Sequence, residues 1–353
     1  TRHAGTDMLF CADRAYVAVD LQSGPDGAVY LTDWYDVRHC HNPDAEQWDR
    51  GNGRIYRMKF DATWKAVSAD LEKLSDSELV DLQLHTNEWH VRAARQVLAE
   101  RAVLRSIDPS AVQKLCELAQ QQSLPSHRLR AVWTLSVVGQ LNDRLLQVLV
   151  TDKSEYVRMW VVQLGVEQQS AWMLSQLPEL ARQDGSLMVL RSLASQVPRL
   201  NVEQGWTLAE ALAARNELSQ DEMLPGLLLF GVAGFVEQNP ERGQRLAVST
   251  ASESLRDQLQ WYLARTAESG RVALLNDFAE LSAEQQLRRL QLLELALRDR
   301  RGVAEAAGWS GLSAGLYAHS NAEVRRLSES IGAAFGDAVL VDSMRRVVMD
   351  RGT

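Results

Sequence analysis

The sequence predicts a mainly α-helical protein, in which a stack of helix pairs follows a short β segment. Three observations lead to this fold class. From Leu71 onward the apolar residues recur at helical spacing. Pairs of an apolar residue and an arginine recur about every 33 residues, a period typical of helical repeat proteins. The first 62 residues instead contain turn clusters and alternating runs that are typical of strands. We therefore place the β segment at residues 1–62 and the helical repeats at 63–353.

Three runs in the β segment are predicted to be strands. They are Tyr16–Leu21, Ala28–Tyr35 and Arg54–Phe60, which are rich in β-branched and aromatic residues or alternate apolar with charged residues. The cluster Ser23–Gly27 contains Gly-Pro-Asp-Gly and predicts a tight turn before the second run, because glycine allows positive φ and proline fixes the bend.

A sheet of three short strands cannot bury a core by itself, so it needs neighbouring elements. We therefore expect an exposed apolar edge that favours association, formed by Val29, Leu31, Ile55 and Tyr56.

The polar loop after the second strand contains the candidate metal ligands of the chain. They are Asp33, Asp36, His39, Cys40 and His41. Imidazole, thiolate and carboxylate groups are the usual ligands of zinc and other transition metals. Adjacent residues rarely all face one ion, since side chains alternate along an extended backbone. The loop is therefore either a metal or cofactor-facing site or a hydrogen-bonded loop that ties the strands to their neighbours.

The repeat region is defined by seven copies of the apolar-arginine pair. They are Val91-Arg92, Leu129-Arg130, Val157-Arg158, Leu190-Arg191, Leu255-Arg256, Leu287-Arg288 and Val324-Arg325. A degenerate copy near Met223-Leu224 fills the longest gap, so that about eight helical pairs are expected. Each predicted helix has one apolar face, as in Val324, Leu327 and Ile331, and stacking of neighbouring units must cover it.

Polar residues in the repeats are expected to have structural roles. The turns before the apolar faces contain Asn87, Asp152, Asp184 and Asn321. The repeat period of the arginines favours a hydrogen-bond ladder between repeats over an anion-binding groove. Tryptophans at helical positions are expected in the core, namely Trp89, Trp133, Trp160, Trp172, Trp206 and Trp261.

Two stretches resemble a known family. The run GPDGAVYLTDWYD, followed by HCHN and RGNGRIYRM, is similar to the last β-propeller blade of the PVC-type membrane-bound dehydrogenases, and Asp221–Phe235 resembles a segment of their solenoid. In that family a quinoprotein-like propeller precedes a HEAT-repeat (armadillo-like) superhelix, usually with a cytochrome c-like domain at the C-terminus. The resemblance implies that this chain is an internal piece, cut in the last blade and ending before the haem domain.

The resemblance also implies a function. The parent protein would be a periplasmic or envelope quinoprotein-like dehydrogenase for a sugar or alcohol. Pyrroloquinoline quinone with calcium would bind in the missing propeller and haem c in a missing C-terminal domain. This segment would bind no cofactor, would not be catalytic alone, and would serve as a scaffold whose partners are another protein or the adjoining domains. The alternative is a HEAT-repeat interaction module attached to a non-catalytic propeller.

Composition limits the possible partners. The formal net charge of −8 disfavours nucleic acid, which requires a basic surface. No apolar run approaches the roughly 20 residues that a membrane span needs. The cysteines are Cys11, Cys40 and Cys116, an odd and sparse set without a CxxCH sequence, so we expect neither a disulfide framework nor an attached c-type haem in this segment.

Overall fold

The computed structural model describes residues 5, 9–36, 51–300 and 302–349. It confirms a mainly helical chain with a small sheet near the N-terminus. The chain divides into two compact units, Thr1–Leu145 and Leu146–Thr353. This division falls within a helix, and the predicted boundary near residue 62 stays a prediction.

The sheet of the first unit has three antiparallel strands in the order β1-β2-β3. The strands are β1 (Ala18–Ser23), β2 (Val29–Asp33) and β3 (Arg54–Met58). Leu21 pairs with Leu31, which pairs on its other side with Tyr56. The Gly-Pro-Asp-Gly turn connects β1 to β2, and Gly27 has a φ of 76° there. The three predicted strands are therefore present, with β1 shifted two residues toward the C-terminus.

The predicted exposure of the sheet is wrong for one residue. Leu31, in the central strand, is buried, whereas Ile55 on β3 is 75% exposed. Val29 and Tyr56 are half-buried. The central strand β2 is paired on both sides. Alternate side chains of a strand point to opposite faces of the sheet, so Leu31 is buried while Tyr30 is half-buried and Thr32 is exposed.

The helices of the first unit form two layers. They are α1 (Asp76–Asp81), α2 (Glu88–Leu104), α3 (Pro109–Gln121) and α4 (Pro125–Val137). Helix α5 (Asp143–Leu149) crosses the boundary between the units. Helix α1 packs on α3, α2 packs on α4, and α3 contacts α4 between the layers. This is the stacking of helix pairs that the apolar faces predict.

A buried carboxylate fastens the first helices together. Asp76 is 4% exposed and accepts hydrogen bonds from Arg101 Nη1 and from both terminal nitrogens of Arg105, each at 2.8 Å. The backbone N–H of Asp108 adds a bond of 3.0 Å. The Arg105 hydrogen bond, the Asp108 N–H and Arg101 outweigh burial and hold the pKa of Asp76 well below its usual range. Asp76 therefore links α1 to α2 and to the turn before α3.

The second unit contains the remaining helices, which also form two layers. They are α6 (Glu155–Glu167), α7 (Ala171–Gln183), α8 (Leu187–Gln196), α9 (Val202–Ala213), α10 (Leu224–Gln238), α11 (Pro240–Ser249), α12 (Glu253–Thr266), α13 (Glu268–Leu275), α14 (Ala283–Leu297), α15 (Trp309–Tyr317), α16 (Ala322–Phe335) and α17 (Ala338–Met349). The even-numbered helices α6 to α16 contact one another in chain order, and α7, α9, α11 and α13 do the same in the other layer. This arrangement is compatible with HEAT repeats.

Local sequence explains where these helices begin. Asn87 caps α2 by accepting from the N–H of Trp89, and Asn321 caps α16 by accepting from the N–H of Glu323. The degenerate repeat begins at Leu224 with a proline in its first turn, where proline is favoured. Asp221 accepts from the N–H groups of Met223 and Leu224 at this start.

The predicted apolar faces are buried, but most of the tryptophans are not. Leu255, Leu259 and Ile331 are fully buried. Of the six tryptophans expected in the core, Trp206 is 1% exposed, and the other five are only half-buried, so that this part of the prediction is wrong. An indole on a helix of a two-layer stack can cover the edge of a neighbouring helix while one face of the ring stays in solvent.

Among the helices in the described part of the chain, none combines the length and hydropathy needed to cross a bilayer.

Candidate functional site

The contact between the Gly-Pro-Asp-Gly turn and helix α2 is the candidate functional site, and we call it the turn junction. Asn87 Nδ2 donates to the carbonyl oxygen of Gly24 at 2.9 Å and to that of Pro25 at 3.4 Å. His90 Nε2 lies 3.0 Å from the same Pro25 oxygen. These residues are more than 60 positions apart in the sequence. The first turn of α2 therefore holds the turn of the sheet through its backbone carbonyls.

Asp26 organises the turn from within. Its Oδ1 accepts from the N–H of Ala28 at 3.1 Å, and its Oδ2 accepts from Trp64 Nε1 at 2.9 Å and from the Tyr30 hydroxyl at 3.1 Å. Burial would raise the pKa of Asp26, but these hydrogen bonds outweigh it and lower the pKa. Trp64 also makes cation–π contacts with two side chains: Lys59 Nζ lies 4.4 Å and Arg57 Cζ lies 4.9 Å from the ring centroid. The carboxylate thus fixes the turn and connects it to the chain that follows β3.

Two histidines and a tryptophan form an aromatic cluster at the junction. The rings of His85 and His90 lie 4.5 Å apart, and Trp89 meets His90 edge-on at 5.1 Å. A carbonyl oxygen can only accept, so His90 Nε2 must carry a proton. His85 Nδ1 accepts from the N–H of Asn87 at 2.9 Å and is therefore unprotonated. His90 Nδ1 is buried and has no partner among the described residues.

The predicted metal ligands are only partly described. Asp33 is 5% exposed, and its Oδ1 accepts from the N–H groups of Val17 at 3.1 Å and Tyr35 at 2.9 Å. Its Oδ2 is buried without a partner in the described part of the chain. The backbone N–H of Asp36 donates to the carbonyl oxygen of Ala15. Asp33 therefore supports the β2 end of the loop through backbone bonds.

The other three candidates, His39, Cys40 and His41, lie outside the described residues. Within the described ranges, no three histidine, cysteine, aspartate or glutamate side chains lie close enough to hold a metal ion. The metal site at 33–41 stays a prediction, and the orphan Asp33 Oδ2 is the observation that fits it.

The arginine series is structural for most of its members. Arg158, Arg256 and Arg325 each occupy the fourth position of their helix and donate to the carbonyl oxygen six residues earlier. Arg128 makes the same bond to Gln122. In helix α4 the equivalent residue is therefore Arg128 rather than the predicted Arg130. The guanidinium thus closes the turn before each helix. It donates to a backbone carbonyl oxygen that lies before the helix and therefore accepts no hydrogen bond within it.

The remaining arginines of the series reach a neighbouring repeat or the solvent. Arg130 pairs with Glu88, Arg191 with Asp221, and Arg288 with Asp257. Arg92 is exposed. With Arg158, which pairs with Asp184, four arginines of the series contact carboxylates, and the series does not offer a row of unpaired cations for an anion groove.

The turn junction was only partly visible in the sequence. The turn cluster and Asn87 were singled out as turn residues, but His85, His90 and Trp64 were assigned no role. The partners of His90 and Trp64, a backbone carbonyl and a carboxylate, are far away in the sequence, and His85 accepts from the N–H of the neighbouring Asn87. Such contacts leave no local pattern, and only the pairing of a turn with a distant helix start could have indicated them.

A comparison with protein-family models finds no match to this chain, and a comparison with curated proteins finds none either.

Proposed function

We propose that this chain is a scaffold, in which a helical-repeat stack holds the N-terminal sheet in a fixed position for the assembly of a larger protein. The observation that carries the proposal is the turn junction. Asn87 and His90 bind backbone carbonyls rather than side chains of the turn, so they fix its position whatever side chains surround it. A scaffold requires such a rigid link, because a flexible linker would let the sheet reorient.

The larger protein proposed is an envelope or periplasmic quinoprotein-like dehydrogenase that acts on a sugar or alcohol. The support is the resemblance of residues 24–58 and of Asp221–Phe235 to that family. In this proposal the adjoining propeller and haem domains are the partners of the chain. The sheet presents Ile55 to such a partner, since that side chain is 75% exposed on an edge strand.

Quinone and calcium chemistry is assigned to other parts of the larger protein. This assignment comes from the resemblance, in which calcium finds its six to eight oxygen ligands among the propeller blades. No reaction step is proposed for the described residues of this chain.

The scaffold role can be tested by Asn87→Asp. The aspartate keeps the oxygen that caps helix α2 but removes the Nδ2 donor and places a negative charge against two carbonyl oxygens. A lost hydrogen bond costs about 0.5–1.5 kcal/mol. The carbonyl oxygen of Gly24 keeps the N–H of Gly27 as a donor, and that of Pro25 keeps His90, so the new carboxylate charge beside these oxygens provides the rest of the expected effect. Hydrogen exchange measured by mass spectrometry should therefore show much faster exchange in the turn and strands β1 and β2.

The matched control is Asn321→Asp. Asn321 caps α16 in the same way, accepting at 2.8 Å from the N–H two residues later, but it is exposed. This substitution should leave exchange unchanged or slow it slightly, since an aspartate at a helix start is favourable. The scaffold proposal would fail if Asn87→Asp increased hydrogen exchange in the sheet no more than Asn321→Asp increases it around α16. The turn junction would then not be what holds the sheet on the helices.

A further inference from the structure

A solvent-open cavity of about 460 Å³ lies in the second unit, at the ends of several helices. It is lined by Glu237, Pro240, Arg265, Thr266, Ala267 and Arg300. The volume lies within the range of about 300–1,000 Å³ that is typical of small-molecule sites. Two of its six lining residues are arginines, and neither belongs to the structural arginine series.

Both arginines are exposed and are held by backbone carbonyls, with no carboxylate in ion-pair contact among the described residues. Arg300 Nη1 donates to the carbonyl oxygen of Arg265, and Arg265 Nη1 donates to that of Ala296 at 3.4 Å. A guanidinium has five N–H donors, so each arginine keeps several for a ligand. A carbonyl fixes the side chain without balancing its charge. The positive charges of Arg265 and Arg300 are therefore not balanced by a contacting carboxylate, whereas Arg191 and Arg288 each contact one.

The surroundings add positive charge next to Arg300. Arg271 is 8% exposed, donates to the carbonyl oxygen of Ala264 at 3.1 Å, and has a buried Nε without a partner among the described residues. Burial lowers the pKa of Arg271; the nearby Glu268 carboxylate opposes this effect, and the charge of Arg300 adds to it. Helix α13 begins beside the lining residue Ala267 without a side-chain cap, and its first turn contains Glu268.

One carboxylate also lines the cavity. Glu237 accepts a hydrogen bond from the Tyr262 hydroxyl, and burial together with this contact raises the pKa of Tyr262 to about 12. The hydroxyl therefore remains a donor to the Glu237 carboxylate. The lining of the cavity thus carries two positive charges, on Arg265 and Arg300, and one negative charge, on Glu237.

We propose that this cavity binds a small oxyanion, a carboxylate or a phosphate, between the guanidinium groups of Arg265 and Arg300. Guanidinium groups recognise both anions through paired N–H···O bonds. Glu237 limits the affinity for the anion and disfavours ligands that carry a second negative charge near its carboxylate.

The test is isothermal titration calorimetry of the 353-residue chain with acetate and with inorganic phosphate at low ionic strength. Saturable binding of one or both probes is expected, and the probe that binds identifies the anion class. The double substitution Arg265→Gln/Arg300→Gln should weaken binding by at least about tenfold, the equivalent of one charge-assisted hydrogen bond. The matched control is Arg298→Gln, an exposed arginine near the same helix end that pairs with Glu294, and it should leave affinity unchanged.

Glu237→Gln gives a result of the opposite sign. Removing the negative charge should tighten binding by about threefold, because like charges that line the same solvent-open cavity repel. This arm remains decisive if the double variant does not fold. Absence of saturable binding by both probes, unchanged affinity in a folded double variant, or unchanged affinity in Glu237→Gln would each overturn the proposal.

Discussion

The ion pair between Arg158 and Asp184 tests whether the arginines connect repeats. Arg158 on α6 donates from Nε to Asp184 Oδ2 at 2.7 Å and from Nη2 to Oδ1 at 2.9 Å, in the turn before α8. Both side chains are largely buried, with exposures of 19% and 7%. The perturbation is a double-mutant cycle of Arg158→Met and Asp184→Asn.

The expected magnitude follows from burial and geometry. Removing one partner of a fully buried, hydrogen-bonded pair costs about 3–5 kcal/mol, because the other charge stays buried. Arg158 keeps some contact with solvent and a bond to the carbonyl oxygen of Asp152, so we expect about 2–4 kcal/mol for Asp184→Asn. The coupling energy should be about 1–3 kcal/mol. The Asp152 bond is lost in Arg158→Met with either residue at 184, and the cycle subtracts it.

Native-state hydrogen exchange at the amides of α6 and α8 measures these local free energies. The control cycle uses Arg182 and Glu179, an exposed i,i+3 pair on α7 with exposures of 55% and 51%. Its coupling should not exceed about 0.5 kcal/mol. Equal coupling in the two cycles would refute the idea that burial and bidentate geometry make Arg158 a connection between repeats.

The same pair gives a pH dependence with a defined sign. Burial raises the pKa of Asp184, but the bond from Arg158, the N–H of Ser186 and nearby arginine charges outweigh it and lower the pKa overall. A lowered pKa means that the pair stabilises the fold fully above the unfolded value of about 3.9 and loses this contribution as the pH falls through the folded value. The extra exchange caused by Asp184→Asn should therefore shrink in acid.

Three further predictions concern packing and activity. A Cβ on Gly270 would lie 2.3 Å from the carbonyl carbon of Leu263, so Gly270→Ala should cost about 1–3 kcal/mol or more in thermal or urea unfolding; Gly234→Ala, with no atom within 4 Å, should instead gain about 0.5–1 kcal/mol. Leu259→Ala should cost about 2–5 kcal/mol and increase hydrogen exchange first in α10, α12 and α14, whereas uniform loosening would indicate one global core. Supplied with pyrroloquinoline quinone, calcium and a dye acceptor, the chain should oxidise neither aldoses nor simple alcohols above background; turnover abolished by His39→Ala or His41→Ala would place an active site in that loop.

Elements with a periodic signal were predictable. The apolar faces of the repeats recur at helical spacing, and Leu255 and Ile331 are buried as expected. The three strands alternate or carry β-branched residues, and they form the expected sheet. The start of β1 was misplaced because Tyr16 and Val17 have the same β propensity as the residues that pair, and pairing is decided by the partner strand.

Features set by tertiary partners were not predictable. Leu31 was expected at an exposed edge, but pairing on both sides places it in a central strand. The position of the arginine in α4 depends on where that helix begins, and Pro125 begins it so that Arg128, not Arg130, reaches back to the preceding turn. Arg265 and Arg300 carry no motif, and only the packing of three helix ends brings them to one cavity.

The contrast between Asn87 and Asn321 explains why the candidate site could not be separated from the other helix starts in advance. Both asparagines occupy the same position before a helix, and both accept from the N–H two residues later. Asn321 is exposed, whereas the amide nitrogen of Asn87 meets the carbonyl oxygens of Gly24 and Pro25. An aspartate would cap either helix equally well, but only an amide can also donate. The need for asparagine at position 87 thus arises from a turn more than 60 residues away in the sequence. Replacing Asn87 by aspartate therefore tests directly whether helix α2 holds the sheet, since it removes the donor and keeps the cap.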